Sequence, residues 1–241
     1  MPRMHTRPPQ IFPSILSGDF GHLAEVAHHI TQAGADAIHI DIMDGHFVPN
    51  LTLGPRAVAA INKATPLFLD VHLMIYNPYD FVEAFVAAGA DRITFHFEAT
   101  EDVEDTIEFI RRCGVKAGLA FRPETSFAMI PKYLLKSDLL LIMTVSPGFG
   151  GQAFMPEMLE KVRLAREHCE RHGIRQGGVI AQPGMAHDAL PPFDIQVDGG
   201  IHPSTAADCL KVGANILVSG DFLFRQTTDM AQGISRLRQG H

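Results

Sequence analysis

Residues 39–50 read His-Ile-Asp-Ile-Met-Asp-Gly-His-Phe-Val-Pro-Asn. In an extended strand alternate side chains point to opposite faces. His39, Asp41 and Met43 therefore share one face, and Ile38, Ile40 and Ile42 the other. An imidazole and a carboxylate on a strand that otherwise reads as buried are costly unless paired or bound to something. A second strand-like run, Leu69-Asp70-Val71-His72-Leu73-Met74, puts His72 and Met74 on one face. A third, Ile195-Gln196-Val197-Asp198, ends on a carboxylate just before Gly199-Gly200. Two imidazoles and two carboxylates suit a divalent transition metal such as Zn, Fe, Mn or Co. A single strand histidine is more often a packed or surface residue, so periodicity alone leaves both readings open. His22, His28, His29, His168 and His172 lie on helix-like segments and read as solvated.

Three glycine-rich turns follow strand-like runs. Pro147-Gly148-Phe149-Gly150-Gly151-Gln152 is the longest, and Asp198-Gly199-Gly200 and Ser219-Gly220 are the others. Glycines let backbone N–H groups approach a ligand closely, as phosphate binding requires. They also serve simply to close tight turns, and each turn taken alone reads that way. Together, in chain order, they favour an anionic ligand.

These residues need elements to position them. Apolar runs near 11–16, 36–42, 67–74, 91–96, 115–121, 138–145, 194–198 and 215–219 read as strands. Helix-like stretches follow near 19–33, 55–63, 79–88, 101–112, 126–136, 156–172, 203–211 and 221–238. Eight βα units predict an α/β protein, a single (β/α)8 TIM barrel, whose usual length is roughly 250 residues. The phrases Ala33–Asp36, Ala88–Asp91 and Val212–Asn215 place a glycine at a helix end just before a strand, as αβ loops prefer. A doubly wound open sheet would carry a GxGxxG turn after its first strand, and Ser14-Ile15-Leu16-Ser17-Gly18 has none. In a barrel the C-terminal strand ends converge on one mouth, which gathers His39, Asp41, His72 and Asp198. Gly173 to Phe193 is too long for an ordinary αβ connection and reads as a peripheral insertion on the opposite face.

Composition narrows the classes. The 241 residues carry 20 Lys and Arg against 27 Asp and Glu, a net charge of −7. That balance argues against a nucleic-acid partner. Cys113, Cys169 and Cys209 have no close spacing and read as reduced thiols of a cytoplasmic protein. No run of about 18 apolar residues predicts a membrane span. Residues 1–9 are polar and proline-rich, read as a disordered tail, and lack a signal peptide's apolar stretch. The barrel domain is expected over 10–241.

Several strings together resemble the ribulose-phosphate 3-epimerase family. They are Pro13-Ser14-Ile15-Leu16-Ser17, His39–Asn50 with Leu51-Thr52-Leu53-Gly54-Pro55, Val71–Met74, Met143-Thr144-Val145 with Pro147–Gln152, and Val197–Ile201. The match runs in order from about residue 11 to 225. It implies a metal-dependent isomerase that interconverts D-ribulose 5-phosphate and D-xylulose 5-phosphate in the pentose phosphate pathway. By similarity, His39, Asp41, His72 and Asp198 would ligate one divalent metal ion, with Asp41 and Asp198 also the acid–base pair at C3. Ser14 and His72 would contact substrate. Gly148, Phe149, Gly150, Gly151, Gly199, Gly200, Gly220 and Asp221 would surround the phosphate, and Met43, Met74 and Met143 would form a sulfur-rich wall. Homo-oligomeric assembly is also implied.

Two departures stand out. Gly18 stands where the family usually shows Ala. Asp221 follows Gly220 where the family typically has Ser, and an ionised Asp would repel phosphate. The expectation is that Asp221 turns away and caps the final helix, and a shifted substrate preference is the alternative. An epimerase for a longer ketose phosphate is the nearest rival. Related barrel lyases want a lysine in Asp-x-Lys-x-x-Asp, and here Asp41 is followed by Ile42 and Met43. A catalytically dead binding module would have lost an acid or a ligand, and all four residues are present.

Overall fold

The computed structural model describes residues 8–134, 136–172 and 193–240. The insertion expected at 173–193 lies outside these residues except for Phe193, as does most of the tail expected at 1–9. Among these residues eight strands form, all parallel: β1 Gln10–Pro13, β2 Ala37–Met43, β3 Phe68–Met74, β4 Arg92–His96, β5 Lys116–Phe121, β6 Leu139–Met143, β7 Asp194–Asp198 and β8 Ile216–Ser219. They pair in the order β1-β8-β7-β6-β5-β4-β3-β2, and a Ser14–His39 bridge joins the two ends into a barrel. The expected (β/α)8 fold is what forms.

The alternation in the sequence sets the two faces. Outward residues such as Ile38, Ile40, Leu69, Val71, Ile93 and Leu119 are fully buried against the helices. Those helices are α1 Leu23–Gln32, α2 Pro55–Ala64, α3 Val82–Ala87, α4 Val103–Arg112, α5 Leu159–Arg171, α6 Pro203–Lys211 and α7 Met230–Gln239. Inside the barrel, Phe12, Leu139, Ile216 and the half-buried Phe68 pack together low down, and the Arg92 guanidinium lies 5.5 Å from the ring centres of Phe12 and Phe68. Above this floor polar side chains such as His39, Asp70, His72 and Gln196 join the interior.

Two helix expectations differ from the structure. The segment 126–136 forms two short 3-10 turns, Phe127–Met129 and Pro131–Tyr133. Pro131 has no N–H to continue an α-helical ladder, and its ring crowds the preceding turn. The stretch 221–238 splits into a π-helical turn, Phe222–Gln226, and α7. Asp229 enforces the break, because its carboxylate accepts from the N–H groups of Ala231 and Gln232 and starts a new helix.

Candidate active site at the barrel mouth

β2 and β3 lie side by side with Asp41 opposite His72 and His39 opposite Asp70. The side chains of His39, Asp41 and His72 all turn inward and are buried. From β7, Asp198 reaches the same point. His39 Nε2 lies 3.3 Å from Asp41 Oδ1 and 3.6 Å from Asp198 Oδ2, and His72 Nδ1 lies 3.1 Å and 3.9 Å from the same oxygens. One donor atom from each of the four residues falls within 4.8 Å of all the others. Bonds of roughly 2.0–2.2 Å to a central ion place ligand atoms about 3–3.5 Å apart. The shorter separations, 3.1 and 3.3 Å, match that requirement, the longer ones of 3.6 and 3.9 Å would close slightly on an ion, and the oxygen and imidazole donors suit a divalent transition ion.

Neighbouring groups lock these donors. Ser14 Oγ donates to Asp41 Oδ2 at 2.7 Å. Asp70 Oδ2 accepts from His39 Nδ1 at 2.8 Å and from Gln196 Nε2 at 2.7 Å, and Asp70 Oδ1 accepts from Arg92 Nε at 2.7 Å. His72 Nε2 meets His96 Nε2 at 2.9 Å, and His96 Nδ1 lies 3.3 Å from Glu98 Oε2. Thr52 accepts from the Met43 N–H and donates to the Asp41 carbonyl, which fixes the end of β2. Thr144 donates to the carbonyls of Asp198 and Gly199 and fixes the end of β7.

The two acidic ligand candidates differ electrostatically. Burial disfavours charge on Asp41, but His39 and His72 outweigh it and hold its carboxyl well below the usual range. Asp198 is pushed up to about 7 by burial and then by the Asp41 charge. Burial opposes a charged His39, yet Asp41 and Asp70 raise its imidazole above the ordinary value. Burial lowers His72.

Every site residue expected from sequence is in this region. Asp41, Asp198, Ser14, Met43, Met74 and Met143 line the mouth cavity, with His39 and His72 buried beneath it. Gly148, Phe149, Gly150 and Gly151 form one wall and Gly199, Gly200, Gly220 and Asp221 the adjacent one. A Cβ on Gly200 would stand 2.8 Å from the Phe154 backbone nitrogen, and the left-handed φ of 64° also demands glycine. Among the described residues, the N–H groups of Gly150, Gly151, Gly199, Gly200 and Gly220 serve no turn or cap of the fold. The loop after β2 reaches the glycine wall, where Asn50 donates to the Gly148 carbonyl at 2.7 Å.

Asp221 behaves differently from expectation. Its carboxylate makes no helix cap. Instead it accepts from Gln226 Nε2 at 2.6 Å, lies 3.5 Å from Arg225 Nη1, and faces Gly151. The final helix already has its cap in Asp229, so nothing draws Asp221 away from the mouth. Sequence reasoning also missed Asp70, His96, Glu98 and Gln196. The signal for Asp70 was available, since it shares the His72 face of β3 by alternation.

The fold and mouth define a (β/α)8-barrel enzyme. The model of the Ribulose-phosphate 3 epimerase family matches residues 10–224. The ribulose-phosphate 3-epimerase of Chlamydia muridarum is 47% identical over 216 residues, covering 90% of this chain and 88% of that protein. The Bacillus subtilis enzyme of the same name is 41% identical, covering 95% and 98%. In fold, the 3-hexulose-6-phosphate synthase of Salmonella typhimurium superposes with a TM-score of 0.64 at 15% identity, covering 96% of this chain and 97% of that one. The chain belongs to the ribulose-phosphate 3-epimerase family, and its activity is that of an isomerase of carbohydrates in the pentose phosphate pathway.

Proposed function

We propose that the chain interconverts D-ribulose 5-phosphate and D-xylulose 5-phosphate by two-base proton transfer at C3, with one divalent metal ion held by His39, Asp41, His72 and Asp198. The observation that carries this is the pair of carboxylates from β2 and β7, brought by separate strands against the same two imidazoles at the barrel mouth. Inverting a carbon next to a carbonyl needs a base on one face and an acid on the other. Charged Asp41 takes the C3 proton, the substrate passes through a cis-enediolate, and protonated Asp198 returns a proton to the opposite face. The reverse reaction exchanges the roles. When bound, the ion supplies Lewis-acid stabilisation of the negative charge that develops on the substrate.

The rest of the mouth positions and shields. Met43, Met74 and Met143 are nearly or fully buried beside the carboxylates and keep water from the enediolate, while their sulfur remains polarizable. The glycine loops present N–H donors to the phosphate, and that remote binding energy fixes C3 between Asp41 and Asp198. Ser14, through its bond to Asp41, aims the base. A cytoplasmic homo-oligomer is the form we infer, checked by light scattering of the purified protein.

The test is incubation with ribulose 5-phosphate in deuterated water, with and without chelator. The expected result is deuterium at C3 and xylulose 5-phosphate, both lost on chelation. Release of a carbon fragment would mark a lyase, and no exchange would mark a binding module. Asp41→Asn and Asp198→Asn should each lower kcat by roughly 100-fold or more, the usual contribution of a positioned acid or base. A smaller effect at either position removes it from the proton-transfer pair.

A further inference from the structure

The hydrogen-bond chain running from His72 away from the mouth has only one consistent direction, given the metal reading above, on which this inference rests. A ligand nitrogen carries no proton. If His72 offers Nδ1, its proton sits on Nε2 and points at His96 Nε2, 2.9 Å away. His96 Nε2 must then accept, which puts the His96 proton on Nδ1, facing Glu98 Oε2 at 3.3 Å. The chain ends there, because an ionised carboxylate only accepts. His72 and His96 are both fully buried, so water offers no substitute partner.

Glu98 is itself held in place. Its other oxygen accepts the Arg122 N–H at 3.0 Å and the Thr125 hydroxyl. Lys161 Nζ donates to the carbonyls of Arg122 and Thr125 from the far side, which braces the loop after β5. Burial alone would raise the Glu98 carboxyl. Its donors, His96 first among them, outweigh that and bring it down to about 2, so it is ionised at neutral pH.

We propose that Glu98 is a positioning residue which, through His96, fixes the His72 tautomer that presents a bare Nδ1 to the metal. It would touch neither metal nor substrate. It would set the orientation of one proton two residues deep, much as Asp70 does directly for His39.

Glu98→Gln keeps the shape and removes the all-acceptor character. If the amide oxygen stays on the Arg122 N–H, the amide NH2 faces His96. His96 is then forced to carry its proton on Nε2, against the Nε2–H of His72. If the amide flips, two N–H groups collide at Arg122. Titration with cobalt(II) chloride should therefore show affinity weakened by roughly 10- to 100-fold and a changed visible absorption of bound cobalt, with the far-ultraviolet dichroism unaltered. In a His96→Gln background the residue at 96 can offer an amide oxygen to His72 whatever stands at 98. There Glu98→Gln should cost no further affinity.

Equal cobalt affinity in wild type and Glu98→Gln overturns the proposal, and so does the same loss in both backgrounds, which would mark a packing role. Long-range proton–nitrogen NMR of the zinc-loaded wild type decides without any variant. A proton on His96 Nδ1 is expected, and one on Nε2 overturns the proposal. A wild-type chain that binds no cobalt refutes the metal reading itself, and this inference with it.

Discussion

At the scale of single residues, the opening string of His39, Asp41 and Met43 was legible because strand alternation is rigid. Chemistry-bearing residues at i and i+2 on a strand must share a face. What the string could not show was which groups lie behind it. Asp70 and His96 sit on strands whose pairing partners are known only once the barrel closes, and Glu98 lies past the end of β4 where alternation stops. Asp221 is the sharpest residue-level departure. A carboxylate facing the Gly151 wall opposes a phosphate dianion, and Arg225 and Gln226 offset only part of that charge. Repulsion of about 1 kcal/mol at such a separation corresponds to roughly fivefold in affinity. Asp221→Ser should therefore lower KM for ribulose 5-phosphate by about that factor with kcat little changed. An unchanged or higher KM in steady-state assays would show that Asp221 does not oppose the phosphate.

At the scale of elements, the Gly-Ala-Asp phrases turn out to do more than end helices. Asp36, Asp91, Asp138 and Asn215 each stand immediately before an even-numbered strand. Each side chain accepts the N–H of the second residue of the preceding strand: Ile11, Leu69, Ala117 and Ile195 respectively. Each backbone N–H is returned to the carbonyl of that same residue. The barrel is thus stitched at its base in four similar pairs, on the end opposite the mouth. The sequence showed three of these phrases but not their partners, since the partner lies a whole βα unit upstream. It also overread 126–136, where apolar spacing resembles a helix but Pro131 interrupts the ladder. Asn215→Ala removes the acceptor of Ile195 N and the donor to Asp194. Unfolding in urea should show a loss of roughly 1–3 kcal/mol, the cost of orphaning partly buried polar groups. kcat should be unchanged, because the stitch lies far from the mouth. A selective loss of kcat with full stability would contradict this division between base and mouth.

At the scale of the whole molecule, the barrel has one sparse seam. Most neighbouring strands are joined by runs of registered residues, up to seven between β2 and β3. β1 meets β2 through the Ser14–His39 bridge, the Ile11–Asp36 exchange and the Ser14–Asp41 hydrogen bond. The proposed metal ligands straddle that seam, His39, Asp41 and His72 on one side and Asp198, on the third strand beyond it, on the other. A bound ion would therefore join the barrel where the backbone joins it least. A ligand that binds only the folded state, at about 100 times its dissociation constant, adds about 2.7 kcal/mol. For a domain of this size that is roughly 5–10 °C in Tm. Scanning calorimetry of the cobalt-loaded and chelator-treated protein should show this difference, and Asp198→Asn should abolish it. Hydrogen exchange should place the change unevenly, because removing the ion loosens the seam first. The amide of Ile11, which bonds across the seam to Asp36, should lose protection before those of β4 and β5, whose ladders are intact on both sides. Uniform loss across all eight strands would mean that the ion stabilises the barrel as a whole rather than at its seam.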